Sequence, residues 1–208
     1  MIPNPFRRDN IIWLPSPTGS FSAKSSWTAI RSPRPQVDWH KLVWYPQNIP
    51  RASFILWLAI RKRLGTQDRL PNISNPSCLL CGTQMDNHDH LFFACPISWK
   101  IWTAIISKCN THWQPLSWTD AIHYMAFQWK KNSLTNILRK LALSVSVYTI
   151  WAERNDRYHT NSWRDTESII RQIKDTIRCR ITSFRRVKDC PTNRNLQSVW
   201  AIPDSIFS

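Results

Sequence analysis

Cys78-Leu79-Leu80-Cys81-Gly82-Thr83-Gln84-Met85-Asp86-Asn87-His88-Asp89-His90-Leu91-Phe92-Phe93-Ala94-Cys95 is the stretch from which the rest of this chain is read. A Cys-x2-Cys pair, a His after eight intervening residues and a Cys after four more supply three thiolates and one imidazole. That donor set suits a tetrahedral Zn²⁺ with every position filled by protein, the arrangement of a structural rather than a catalytic site. Cys78 and Cys81 bracket a short turn, and Gly82 lets the backbone fold back over the ion. His90 and Cys95 then present the other two ligands from one or two turns of helix. His88 is a rival ligand. His90 is preferred, because His90-x4-Cys95 lets both side chains face inward and leaves His88 and Asp89 toward solvent, with His88 still able to support the site by a hydrogen bond. A redox reading of the Cys-x2-Cys pair needs a buried strand before it, whereas Ser74-Asn75-Pro76-Ser77 reads as a loop.

The chain has 208 residues, room for one core or two small ones, and its 13 Trp and 8 Phe call for a packed interior. Only 3 Gly are present, so the glycine-rich phosphate loops of nucleotide-hydrolysing and dinucleotide-dependent enzymes are absent. Leu141 to Trp151 is apolar but too short for a membrane span, and Met1-Ile-Pro-Asn-Pro-Phe-Arg-Arg8 lacks the apolar run of a signal peptide. An intracellular, reducing setting, nucleus or cytoplasm, is expected, and it favours metal over disulfide for the cysteines.

The net charge of +15 is unevenly placed. Residues 1–77 carry 11 Lys/Arg against 3 Asp, residues 78–128 carry 2 against 3, and residues 129–208 carry 15 against 7. A near-neutral metal segment thus lies between two basic flanks, and an excess of this size favours a polyanion such as nucleic acid.

The periodicities predict a mainly α fold. Asn10 to Leu14 and Ser20 to Ser22, around Pro15-Ser-Pro-Thr-Gly19, read as a short N-terminal β-hairpin. Ser22 caps a helix to about Arg31, ended by Pro33 and Pro35. A short helix near Trp39 to Trp44 follows, then Pro50 opens one to Leu64 that buries Phe54, Ile55, Leu58 and Trp57. Arg61-Lys62-Arg63 complements the end of its dipole and is also placed to reach a phosphate. Thr66 starts a short helix ending near Asn72. Pro96 opens a helix to Cys109 with Trp99, Trp102, Ile105 and Ile106 inward, and Ser117 caps another to Phe127. Trp129-Lys130-Lys131-Asn132 is a break. Leu134 to His159 is the longest helical pattern, with a stripe of Leu134, Leu138, Leu141, Val145 and Tyr148 for the core or for a partner helix. Cys109 and Cys179 read as small core residues.

The last helix, Asp165 to Val187, turns Ile170, Ile173, Ile177, Ile181 and Phe184 to one face. Arg157, Arg164, Arg171, Arg178 and Arg185 recur every seventh residue with Lys174 in register; Arg164, Arg171, Arg178 and Arg185 form a cationic ridge suited to phosphates if it is not merely a solvated face, and Arg157 joins it only if the two helices are continuous. From Lys188 the composition suggests an irregular tail. The expected organisation is an N-terminal hairpin and helix at 1–36, a zinc-binding domain at 37–110, a helical region at 111–188 and the tail at 189–208.

Leu42-Val43-Trp44, Ile49-Pro50-Arg51, Phe54-Ile55-Leu56-Trp57-Leu58-Ala59, Arg63-Leu64 and Thr66-Gln67-Asp68-Arg69-Leu70 lead into Cys78-x2-Cys81-Gly82, His90-Leu91-Phe92-Phe93-x-Cys95-Pro96 and Trp99. Together they resemble the zinc-binding domain that follows the reverse transcriptase in plant LINE-type (non-LTR) retrotransposon polyproteins. Trp13, Gly19-x-Phe21-Ser22, Lys24-Ser25 and Trp27 upstream, and Ile150-Trp151-x-Glu153-Arg154-Asn155 downstream, resemble the flanking segments. The resemblance implies a nucleic-acid-associated accessory domain with Cys78, Cys81, His90 and Cys95 as zinc ligands. Asp86-Asn87-His88-Asp89 departs from the Glu-Ser/Thr-type pair more usual before the His.

No Tyr-x-Asp-Asp pair of a polymerase palm and no endonuclease-like carboxylate array is present, so the chain is expected not to be an enzyme. The leading reading is a zinc-stabilised module that grips RNA or DNA through phosphates, using Arg61, Lys62, Arg63, Lys130, Lys131, Arg171, Lys174 and Arg178. A protein-interaction module, with a reverse transcriptase or other retroelement protein as partner, is the second reading, alongside a retroelement remnant without function. A catalytic metal on Asp86, His88 and Asp89 is the third.

Overall fold

A computed structural model describes residues 11–32, 35–71, 73 and 76–208, and the chain divides into two compact units, Met1–Val37 and Asp38–Ser208.

In the first unit a turn precedes helix α1, Ala23–Ile30. The Trp13 amide donates to Gly19 O at 2.8 Å, with Gly19 in the left-handed region at φ +70° and the Trp13 and Phe21 rings meeting edge to face at 5.3 Å. This closed turn replaces the expected β-hairpin: among the described residues there is no strand, and Asn10 lies outside them. The reason is physical. Pro15 and Pro17 remove two ladder donors, and a two-stranded ribbon is by itself marginal in water; Ile11 and Leu14 are fully or nearly fully exposed. Ser22 caps α1 as expected, accepting from the Ser25 amide while Ser25 reciprocates, but the helix buries no residue. It ends at Ile30, and Pro33 lies outside the described residues.

The second unit is helical throughout, with α2 at His40–Val43, α3 at Pro50–Ile60, α4 at Pro96–Ile106, α5 at Trp118–Gln128, α6 at Leu134–Thr160, α7 at Thr166–Ile181 and α8 at Pro191–Trp200. Proline opens α3 and α4, where its missing N–H costs no hydrogen bond, and Ser117 caps α5 by accepting from the Asp120 amide. The 27-residue α6 is the axis of the unit, packed by α3, α4 and α7. It is buried nearly all round along 136–150, so the stripe Leu134, Leu138, Leu141 and Val145 is core and not a surface for a partner helix.

Helix α3 approaches α6 through Ala52, Ser53, Leu56 and Ala59, which are buried, while Phe54 is half exposed and Ile55, Trp57 and Leu58 are only partly covered. Small residues on the inward stripe bring the backbones close and turn the large side chains outward. Helix α7 buries Ile169, Ile170, Ile173, Ile177 and Ile181. Residues 189–208 are not an irregular tail: α8 folds back, Leu196 and Trp200 are buried, and the Trp200 indole donates to Lys108 O at 3.0 Å. Of the two cysteines expected in the core, Cys109 is buried and Cys179 is exposed. Among the described residues no helix is long and apolar enough to cross a membrane.

Candidate metal centre

The metal segment begins with a tight reversal. The Asp86 amide donates to Pro76 O at 2.7 Å and the Cys78 amide to Gln84 O at 2.6 Å, flanking a single antiparallel bridge between Ser77 and Met85. The Gly82 amide donates to Cys78 O at 2.7 Å with Gly82 at φ +70°; open space surrounds its α-carbon, so the need for glycine is one of backbone conformation alone. This turn sets Cys78 and Cys81 on the same side. Asn87 then begins the second ligand segment, its Oδ1 accepting from the His90 amide at 2.9 Å.

His90–Ala94 is a π-turn, closed by the Cys95 amide on His90 O at 2.7 Å. An α-helix advances about 100° per residue, so a spacing of five would put Cys95 about 140° away from His90. The wider i→i+5 turn brings them back onto one side. Cys95 is also the residue before Pro96, the first position of α4.

The result is a cluster of Cys78, Cys81, His90 and Cys95 whose ligand atoms all lie within 4.8 Å of one another. His90 Nε2 is 3.2 Å from Cys81 Sγ, and the Thr83 hydroxyl donates to the same sulfur at 3.3 Å. A hydrogen bond from the Cys78 thiol, aided by the amides of Ser98 and Ile97, holds the Cys95 thiol below its ordinary pKa. The same bond and then burial push the Cys78 thiol far above its own. Thiols and an imidazole gathered at this range form a site that a cation can enter in place of the thiol protons. Such a donor set fits a metal ion.

His88 is not part of the cluster. It is buried beside the Phe92 ring, its Nδ1 is 3.4 Å from Thr66 Oγ1, and burial followed by the charge of Arg69 lowers its pKa, so it is a neutral packing residue. The rival ligand is thereby set aside. Asp86, His88 and Asp89 do not gather around a second metal either, because Asp86 faces an arginine and exposed Asp89 pairs with Lys62 at 3.0 Å.

The residues that fasten this segment to α6 entered the sequence reading only in other roles, Asp86 as a departure before the His, Glu153 and Arg154 in a flanking resemblance, and Arg157 and Arg164 in a basic ridge. Asp86 is fully buried, and its Oδ2 accepts from Arg154 Nη2 at 2.7 Å, Arg154 Nε at 3.1 Å and the Gln67 amide at 3.0 Å. Arg154 is itself buried, its guanidinium 5.1 Å from both the Trp151 and Tyr158 ring centroids. One turn on, Arg157 Nη1 donates to Leu79 O and Leu80 O, both at 3.0 Å, capping the carbonyls between the first two cysteines. Glu153 holds Arg157 at 2.9 Å and Arg164 at 2.8 Å. Burial alone would raise the Glu153 pKa, but the hydrogen bonds from Arg164 and Arg157 outweigh it and bring it below the ordinary carboxylate value. The available signal was a Glu-Arg pair and a further Arg continuing the buried face of a long helix after Ile150.

The proposed phosphate-contacting residues are scattered in role. Arg61, Arg63, Lys130, Lys131 and Arg171 are exposed, with Arg61 against the Trp57 ring and Lys130 against the Phe127 ring. Lys62, at the left-handed φ of +50° just after α3, holds Asp89 across from the metal segment. Lys174 is half-buried. Arg178 donates to Trp200 O at 3.0 Å and pairs with Asp175, tying down the end of α8. The heptad ridge is therefore broken, since Arg157 and Arg164 are committed to Glu153 and Arg178 to Trp200.

No curated protein and no solved structure matches the chain. Residues 21–102, which contain all four ligands and end inside α4, match the family model described as zinc-binding in reverse transcriptase.

Proposed function

We propose that this chain is a zinc-stabilised accessory domain that binds nucleic acid, derived from a plant LINE-type (non-LTR) retrotransposon reverse transcriptase polyprotein and without polymerase activity of its own. The observation that carries this reading is the Cys3His cluster lying inside the segment that matches zinc-binding in reverse transcriptase. Zn²⁺ with bonds of about 2.3 Å to sulfur and about 2.0 Å to nitrogen makes a tetrahedron with edges of roughly 3.8 Å. Ligand atoms within 4.8 Å of one another need draw in by no more than about 1 Å to form it. Bound there, zinc supplies cross-linking and no chemistry, because four protein ligands leave no position for a substrate.

Support for nucleic acid as partner comes from the charge of +15 and from exposed Arg61, Arg63, Lys130, Lys131 and Arg171, which are available to phosphate oxygens. Exposed Phe54, Phe127 and Trp163 are available to stack on unpaired bases. Absence of catalysis is supported by the fate of the two carboxylates buried among the described residues: Asp86 and Glu153 are both clasped by arginines, so neither is free to hold a catalytic Mg²⁺.

A salt series tests the reading. Affinity for a labelled single-stranded oligonucleotide is expected to fall linearly on logarithmic axes with slope of roughly −0.7 per phosphate neutralised, so that five contacts give about −3.5. Full retention of the oligonucleotide at about 0.5 M salt contradicts a phosphate-dominated grip. Elemental analysis run alongside is expected to find about one zinc per chain, as a single closed site requires.

A further inference from the structure

We infer that the groove between the start of α6 and the segment joining α7 to α8 is a phosphate-binding track for a nucleic-acid strand, an assignment that rests on the nucleic-acid reading above and gives it a location. The groove has a volume of about 760 Å³, and Arg180, Arg185, Arg186 and Lys188 line it without any Asp or Glu. The nearby acids Asp189 and Asp204 do not line it; both pair with Arg194, at 2.5 and 2.7 Å. Four cations around a concave, carboxylate-free wall concentrate a positive potential where a flat basic surface would disperse it.

The four are not equivalent. Arg180 is fixed, its Nε donating to Gln47 O at 2.9 Å, and contributes a standing charge in the wall. Arg185 bonds only to the carbonyls of Thr182 and Phe184 in its own turn, weak partners that a phosphate oxygen readily replaces. Arg186 and Lys188 are exposed, and neither they nor Arg185 form an ion pair among the described residues.

The segment that carries them is held in place. The Arg186 amide donates to Ser208 O at 3.0 Å and the Val187 amide to Ile206 O at 2.9 Å, so the end of the chain pins the turn, with Arg186 in the left-handed region at φ +55°. Cations on a pinned turn lose less freedom on binding than cations on a loose tail. The first turns of α6 and α8 also face the groove, through Thr135 and Thr192, and the positive ends of their dipoles add to the field. Half-buried Phe184 gives the wall an apolar surface for a sugar or base. A volume of about 760 Å³ exceeds what a lone phosphate fills and sits within the roughly 300–1,000 Å³ of sites that hold nucleotide-sized ligands.

The test is fluorescence anisotropy of the full chain with a labelled 20-nucleotide single strand across a salt series, comparing wild type with R185Q/R186N/K188Q. Asn is chosen at 186 because it tolerates a left-handed backbone. The expected result is affinity weaker by about tenfold or more at 0.1 M salt, with a slope shallower by about 2, three contacts at roughly 0.7 each. R185Q/K188Q leaves the turn residue untouched and is expected to flatten the slope by about 1.4, which keeps the test decisive if the triple variant fails to fold. Wild type that binds while both variants keep its affinity and slope overturns the groove and leaves the nucleic-acid reading standing. Wild type that binds no oligonucleotide overturns both. Displacement of the strand by polyglutamate at equal charge concentration overturns the phosphate assignment and points to an acidic protein segment instead.

Discussion

The two ends of α6 treat a buried cation in opposite ways. Near its C-terminal end, Arg154 is buried with a carboxylate at 2.7 Å, two aromatic faces and a further hydrogen bond to Asn155. In its N-terminal half, Lys140 is just as buried, yet its ammonium has no hydrogen-bond partner and lies 5.1 Å above the Tyr45 ring. A buried charge stabilises only when its partners replace the water it has lost. One end of α6 is therefore a cross-tie to the metal segment, and the other carries a cost that cation–π attraction only partly offsets.

Removing the metal breaks the cross-tied end most severely. Zinc binding in small modules contributes on the order of 10 kcal/mol; with part of that confined to local loosening here, roughly half is expected to reach global unfolding. For a chain of this length that lowers Tm by about 10–20 °C. Cys95→Ser is expected to release the ion, measured by elemental analysis, and to expose residues 76–95 to fast hydrogen exchange while the buried core of α6 stays protected. An unchanged metal content, or loss of protection throughout α6 together with 76–95, sinks the distinction between a tethered segment and an independent core.

The second intervention removes the tie and spares the ligands. Arg154→Met leaves Asp86 buried beside one backbone amide, and the loss expected in denaturant unfolding is about 3–5 kcal/mol. Asp86→Asn added to it recovers part of that loss, because a neutral amide tolerates burial that a carboxylate does not. A double-mutant coupling below about 0.5 kcal/mol would mean that the pair does not act as one unit.

These interventions divide what was legible in the sequence from what was not. The four ligands were legible because a metal demands donors at short, countable spacings, and helix starts at Ser22, Pro50, Pro96 and Ser117 were legible because caps are local. The π-turn was not legible: the spacing His90-x4-Cys95 was read as one or two turns of helix with both ligands inward, which an α-helix does not provide and the wider turn does. Asp86 and Arg154 are 68 positions apart, and no periodicity joins them. Asp86 read as a departure from a family pattern when it is the anchor of the whole segment. On α3 the error came from expecting the largest side chains to be inside, where Ala52 and Ala59 are what permit close approach to α6. On α8 the polar composition hid Pro191 at the first position and Leu196 with Trp200 four residues apart, a sufficient amphipathic signal. The basic groove was the least legible, because it is assembled from residues near 47, 133, 186 and 192.

The smallest change sharpens the comparison from the other side. Lys140→Met keeps the length of the side chain and removes an ammonium without a hydrogen-bond partner, so it is expected to stabilise the protein by about 1–3 kcal/mol near neutral pH. Burial first, and the charge of Lys41 second, hold the Lys140 pKa below its ordinary 10.5. The unfolded state therefore binds more protons than the folded state between the depressed value and about 10.4, and wild-type stability gains from this residue as pH rises through that window. The methionine variant lacks the gain, so its advantage is expected to narrow as pH rises from about 7 toward about 10. Tyr45, raised out of its ordinary range mainly by burial, is neutral in the folded state and ionises at about pH 10 on unfolding in both proteins, so its contribution cancels from the difference. Denaturant unfolding of both proteins at several pH values measures the difference. An advantage that stays constant with pH would show that Lys140 is solvated in the folded protein and titrates there as in the unfolded chain; a loss of stability would show that its contact with Tyr45 outweighs the desolvation of its charge.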